Sequence, residues 1–119
     1  MNIEELREYC LSKHAVSEHF PFDDDTLVFK VAGKMFCLIS IAHPNTCNLK
    51  CIPEKSLELR ANYKGIIPGF HMDKTHWNTV SFNLDVPHSL IIDLIDLSYQ
   101  LVCNNLSKKV KKEAGISQH

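Results

Sequence analysis

From Leu27 to Cys51 the chain repeatedly alternates apolar and polar residues, and this constrains the fold more than any other feature. In Leu27–Ala32 the residues Leu27, Phe29 and Val31 fall on one side, and Val28, Lys30 and Ala32 on the other. Gly33-Lys34 interrupts the run, and Met35–Ile41 is again rich in strand formers. Together these two runs read as a β-hairpin closed by a tight turn. Ala42–Thr46 is a second turn signal. Thr46–Cys51 then alternates cleanly, with Cys47, Leu49 and Cys51 on one face and Thr46, Asn48 and Lys50 on the other. Three antiparallel strands in succession, buried on one face and polar on the other, follow from this pattern.

Helical patterns flank the strands. Asn2 and Glu5 have capping-box spacing, and Ile3, Leu6 and Cys10 mark one face of a helix over 3–13. Turn chemistry follows: Phe20–Thr26 holds a proline and three aspartates and reads as a loop. Pro53 opens a second helix that runs to about Tyr63, with Leu57 and Ala61 as its apolar pair. Pro68-Gly69 signals a turn, a short strand is expected at about 69–72, and a further strand at about 76–82. A long apolar helix follows Pro87. Leu90, Leu94, Leu97 and Leu101 run down one side, widened by Ile91, Ile95 and Val102, a stripe broad enough to pack firmly on a sheet. The predicted order is α-β-β-β-α-β-β-α. This is an α+β fold of two layers, an antiparallel sheet covered by helices, with the other sheet face open to solvent or to a partner. Residues 1–106 form the single expected domain, and residues 107–119 a basic polar tail.

At 119 residues the chain can bury one core without staples. Five cysteines, Cys10, Cys37, Cys47, Cys51 and Cys103, form no C-x-x-C pair and are expected as buried reduced thiols. No apolar run is long enough for a membrane helix. The acidic, amphipathic N-terminus lacks a signal-peptide pattern, so the expected location is the cytoplasm. The net charge of −1 is unevenly placed. Seven acids against two bases give residues 1–25 a charge of −5, and seven bases against three acids give residues 26–82 a charge of +4. That is too little for a strongly basic nucleic-acid binder, but enough for a local positive face.

The block Phe70–Phe82, FHMDKTHWNTVSF, concentrates unusual residues: His71, Lys74, His76, the single tryptophan Trp77, and Asn78. His71 and His76 lack the additional ligands of a zinc site, and no metal or other cofactor is expected. No nucleophile or phosphate-cradling glycine loop accompanies His76, so no catalytic residues are assigned and a non-enzymatic role is expected. Asp73-Lys74-Thr75 is expected to form a turn delivering His76, Trp77 and Asn78 onto a strand, fixed by hydrogen bonds from His76 or Asn78 to backbone. For nucleic acid, Lys30, Lys34, Asn48 and Lys50 have the right chemistry, and Trp77 could stack a base. The alternative reading makes Trp77 part of the core and the lysines solvating groups.

The chain resembles the MmcQ/YjbR family of small bacterial proteins. The resemblance rests on DTLVFKVAGKMFCLIS (25–40), NLKC (48–51), IPGFHMDKTHWNTV (67–80), LSYQLV (97–102) and LSKKVKKE (106–113). It departs at Cys51-Ile52-Pro53, where an acidic N-cap is expected, which weakens that helix cap. The resemblance implies a fold similar to secretion chaperones and frataxin. It also implies a double-wing DNA-binding role, a function label that rests on fold analogy. The expected contacts are Lys34, Asn48, Lys50, Lys74, His76, Trp77 and Asn78, with Lys108, Lys109, Lys111 and Lys112 adding sequence-independent attraction. Modest, salt-dependent DNA affinity and a monomer or weak dimer are expected. A protein-binding module and a small-molecule binder or enzyme centred on His76 are the alternatives.

Overall fold

The computed structural model describes residues 1–70 and 72–117, and His71 lies outside them. It contains α1 (Ile3–Leu11), β1 (Val16–His19), β2 (Thr26–Val31), β3 (Lys34–Ser40), β4 (Thr46–Lys50), α2 (Pro53–Asn62), β5 (Ile66–Pro68), β6 (Trp77–Ser81), α3 (His88–Asn104) and α4 (Lys108–Ala114). The six strands form one sheet in the order β1-β2-β3-β4-β6-β5, and every neighbouring pair is antiparallel. The α+β fold read from the pattern is thus the fold observed.

The differences have local causes. β1 was not expected because its four residues, Val-Ser-Glu-His, form a short, half-exposed edge strand with little apolar signal. Its Glu18 turns to the helix side and receives both Arg7 Nε and Nη2 from α1, at 2.7 and 2.6 Å. The hairpin turn is Ala32-Gly33, one residue earlier than expected, with φ of 47° and 86°. Positive φ at both positions matches the right-handed twist of the flanking strands, and glycine supplies the second at no steric cost. β5 lies at 66–68, not 69–72. Pro68 ends it, which an edge strand tolerates because it leaves that N–H position unpaired. The C-terminal segment expected as a tail contains α4, capped by the Ser107 side chain accepting from Val110 N, and Lys111 is buried within it.

The main core lies between the sheet and the helices. Leu6 and Cys10 of α1 meet Phe29, Val31, Phe36, Cys37 and Leu49 of the sheet, and α3 covers the centre with Ile91, Leu94, Ile95 and Val102. On α2 the buried positions are Ser56 and Leu59; the expected pair Leu57 and Ala61 faces solvent. The N-cap of α2 is Ile52, which provides no side-chain hydrogen bond, as its departure from an acidic residue implied. All five cysteines are free and buried. Donation of its S–H to Cys37, together with burial, holds the Cys10 thiol well above its ordinary range.

One polar residue interrupts the α3 stripe. Ser98 is fully buried, donates its hydroxyl to Phe36 O at 2.5 Å and accepts Lys50 N at 2.9 Å. The β3–β4 register pairs Cys37 with Leu49 and Leu38 with Asn48, so Phe36 and Lys50 occupy the next rung. The strands have parted there, and the serine hydroxyl from the helix completes the rung. Removing it orphans a buried N–H and a buried C=O. Ser98→Ala should therefore lower unfolding free energy by about 1–3 kcal/mol, read from urea denaturation, and should speed hydrogen exchange at the Lys50 amide.

The turn between α2 and β5 is tied from a distance. Asp85 accepts from the backbone N–H of Lys64 and Gly65, each at 2.8 Å, and these bonds hold its carboxyl below the ordinary value of 3.8. A carboxylate with a depressed folded pKa stabilises the fold above its unfolded value and loses that contribution as pH falls through the folded one. Asp85→Asn should lower the urea midpoint at neutral pH and flatten its decline below about pH 4, measured across an acid series.

Candidate functional site

The Phe70–Phe82 block divides into a loop on the open face of the sheet and a strand whose side chains point both ways. Asp73 Oδ1 accepts Thr75 N at 2.9 Å, Asp73 Oδ2 meets His76 Nδ1 at 2.7 Å, and Asp73 O accepts Trp77 N at 3.0 Å. This is the expected turn, but His76 fixes it through the Asp73 carboxylate and not through backbone. The His76 contact and the Thr75 N–H lower the Asp73 carboxyl from its usual range.

Arg60 of α2 holds the turn from beneath. Its Nη2 donates to Lys74 O at 2.5 Å and to Trp77 O at 3.2 Å, while Nε donates to Asn78 Oδ1 at 2.7 Å. Asn78 is buried on the helix side and donates from Nδ2 to Ser56 Oγ at 3.1 Å. With its amide committed on both sides, Asn78 leaves the expected set of surface contacts. Its β6 position alternates inward, where a guanidinium and a hydroxyl are waiting.

Trp77 is also buried. It packs with Val28 and Leu38 on the open face, flanked by Met35 and Met72. It therefore anchors a second, smaller core and does not offer a stacking platform. Gly69 makes the close approach possible: a Cβ there would lie 2.9 Å from Trp77 Cβ and 3.0 Å from Trp77 O. Gly69 N also donates to Trp77 O at 2.8 Å, and Lys74 Nζ donates to Gly69 O at 2.9 Å. Phe70 N donates to Thr79 Oγ1 at 3.0 Å, which in turn donates to Asn48 Oδ1 at 2.6 Å. Asn48 thus braces the loop from mid-sheet. Among the expected contacts, Lys74, His76, Trp77, Asn78 and Asn48 converge on this loop as its fasteners.

The remaining lysines gather elsewhere. Lys34, from the start of β3, and Lys50, from the end of β4, line one shallow depression of about 260 Å³ with Met35, Val102, Asn105 and Leu106. Ser107 follows Leu106 directly, and the exposed Lys108 and Lys109 open α4. Neither Asp nor Glu lines the depression. Arg60, Ser98 and Thr79 were not singled out from sequence. Arg60 reads as one more base on a helix, and Ser98 as a polar interruption of an apolar stripe. Among the described residues no His, Cys, Asp and Glu group could hold a metal, and no helix is long and apolar enough to cross a membrane.

The family model YjbR matches residues 11–101, and the chain belongs to the YjbR family. It is 39% identical over 94 residues to the uncharacterized protein YbdF of Escherichia coli O157:H7, spanning 78% of this chain and 77% of that one. It is 31% identical over 113 residues to the uncharacterized protein YjbR of Escherichia coli K12, spanning 94% and 96%. The crystal structure of Deinococcus radiodurans DR2400, a DUF419 domain, superposes with a TM-score of 0.90 at 38% identity, covering 97% of this chain and 88% of that one. A Pseudomonas syringae crystal structure superposes with a TM-score of 0.73 at 29% identity, covering 85% and 98%.

The Arg60 clamp has a direct test. Arg60→Ala leaves Asn78 Oδ1 unpaired in a buried site, frees Lys74 O and removes one of the two bonds to Trp77 O. Unfolding free energy should fall by about 2–3 kcal/mol in urea, and Trp77 fluorescence should shift to the red as the loop loosens.

Proposed function

We propose that the protein binds nucleic acid non-specifically along the edge formed by Lys34, Lys50 and the start of α4. The observation that carries this reading is the shared depression of Lys34 and Lys50, which the sheet brings together from opposite strand ends and which leads to Lys108 and Lys109. Ammonium groups on extended stems suit backbone phosphates and carry no base readout, so affinity should be modest and independent of sequence. The sheet's open face fits phosphate less well. Its cleft is lined by Asp23 and Asp25, and no lysine or arginine joins them. The contact surface is therefore smaller than the sequence pattern suggested, and lies at the edge.

The test is fluorescence anisotropy with a mixed-sequence duplex and a single strand, titrated in salt from about 25 to 200 mM. About four neutralised phosphates predict a log–log slope between about −3 and −4. Lys34→Glu with Lys50→Glu should abolish binding, whereas Lys74→Ala, which alters only the loop brace, should leave the slope unchanged. Absence of wild-type binding at the lowest salt would overturn the proposal. So would binding that the double variant retains.

A further inference from the structure

The open face of the sheet carries a formed cleft of about 460 Å³. Its floor is Thr26 of β2, Leu38 and Ser40 of β3, and Asn48 of β4. Phe22, in the β1–β2 loop, stands at one side, 65% exposed. Phe70 and Met72 stand at the other, on the loop braced to β6 through Thr79, and Phe70 is 67% exposed. Two large aromatic side chains thus reach the same cavity from opposite sides of a three-strand floor while keeping most of their surface in water.

The polar lining includes two carboxylates, Asp23 and Asp25. Asp23 accepts the backbone N–H of Asp25 and of Thr26 at 2.9 and 2.7 Å, and those bonds keep its carboxyl below the usual range. Asp25 accepts the Ser40 hydroxyl at 2.6 Å and Ala42 N at 2.8 Å. Both carboxylates are held in place by the fold. Among the described residues, His43 is the one basic side chain of the lining.

These walls discriminate among ligand classes. An anion meets two carboxylates. A neutral apolar molecule gains nothing from them. A small, strongly hydrated cation gains little from phenyl and thioether surfaces. A weakly hydrated organic cation gains from both, because the aromatic faces carry negative potential and the carboxylates supply charge. The volume falls within the roughly 300–1,000 Å³ of small-molecule sites. We propose that this cleft binds a quaternary or alkylated ammonium group between Phe22 and Phe70, with Asp23 and Asp25 as its counter-charge.

Trp77 provides the readout. It is the only tryptophan, and it packs against Leu38 and Met72, both of which line the cleft. Choline would be titrated against its neutral carbon isostere, 3,3-dimethylbutanol, following Trp77 emission and the Met72 methyl resonance. Choline should produce saturable changes with a dissociation constant in the range of about 0.1–3 mM, at least about tenfold tighter than the isostere. Phe22→Ala and Phe70→Ala, both at exposed sites, should each weaken choline by about fivefold or more. Asp23→Asn keeps the oxygen acceptor of the turn but removes its charge, and should weaken choline while leaving the isostere unchanged. A trimethyllysine-containing peptide, run in parallel, separates the sources. Tighter binding than choline assigns the cation to a protein side chain, and equal or weaker binding assigns it to a free small molecule. Equal affinity for choline and the isostere would overturn the proposal. So would no response in either signal up to about 10 mM, or aromatic variants that bind as well as wild type in their folded state.

Discussion

The Arg60 guanidinium is the constraint on which the open face depends. Its planar fork reaches two backbone carbonyls of the Asp73–Trp77 turn and the Asn78 amide together. A lysine could satisfy only part of this, since its ammonium is a compact charge without the fixed fork. Through Arg60, a helix on one side of the sheet fixes the path of a loop on the other. Trp77, Met72 and the Phe70 wall take their positions from that path. The buried Asn78 makes the arrangement demanding, because an amide without partners inside a protein costs more than a satisfied one contributes.

The division of labour between loop and edge separates two kinds of polar residue that look alike along the chain. Lys74 and Lys50 are both lysines near strand ends. Lys74 bonds a carbonyl of its own loop, whereas Lys50 lines a depression with Lys34. His76 and Asn78 are two residues apart, yet one is exposed beside Asp73 and the other is enclosed by Arg60 and Ser56. The conspicuous chemistry of the block thus mostly fastens its own loop and strand.

Periodicity made the central strands and the α3 stripe legible, because alternation and 3.6-residue spacing report directly which face is buried. What it could not report was what each face would meet. Asn78 reads as a polar contact until Arg60, 18 residues away, is known to sit beneath it. β1 escaped notice because four residues at a sheet edge carry almost no periodic signal. On α2, Leu57 attracted attention as an apolar residue, but Ser56 and Leu59 face inward because the hydroxyl has an amide to satisfy. The cleft drew on Phe22 and Phe70, separated by most of the sheet, and nothing local links two phenylalanines so far apart.

The rung supplied by Ser98 gives the sheet an unusual mechanical character. It behaves as two three-stranded ribbons, β1-β2-β3 and β4-β6-β5, joined along a short seam and pinned where they diverge by a hydroxyl on the helix behind them. Leu38 and Asn48, a paired rung of that seam, both lie in the cleft floor, and the two aromatic walls belong to different ribbons. The hydroxyl that bridges those ribbons lies on the far side of the sheet. The seam beneath the open face is thus completed by a residue of the opposite layer that does not line the cleft.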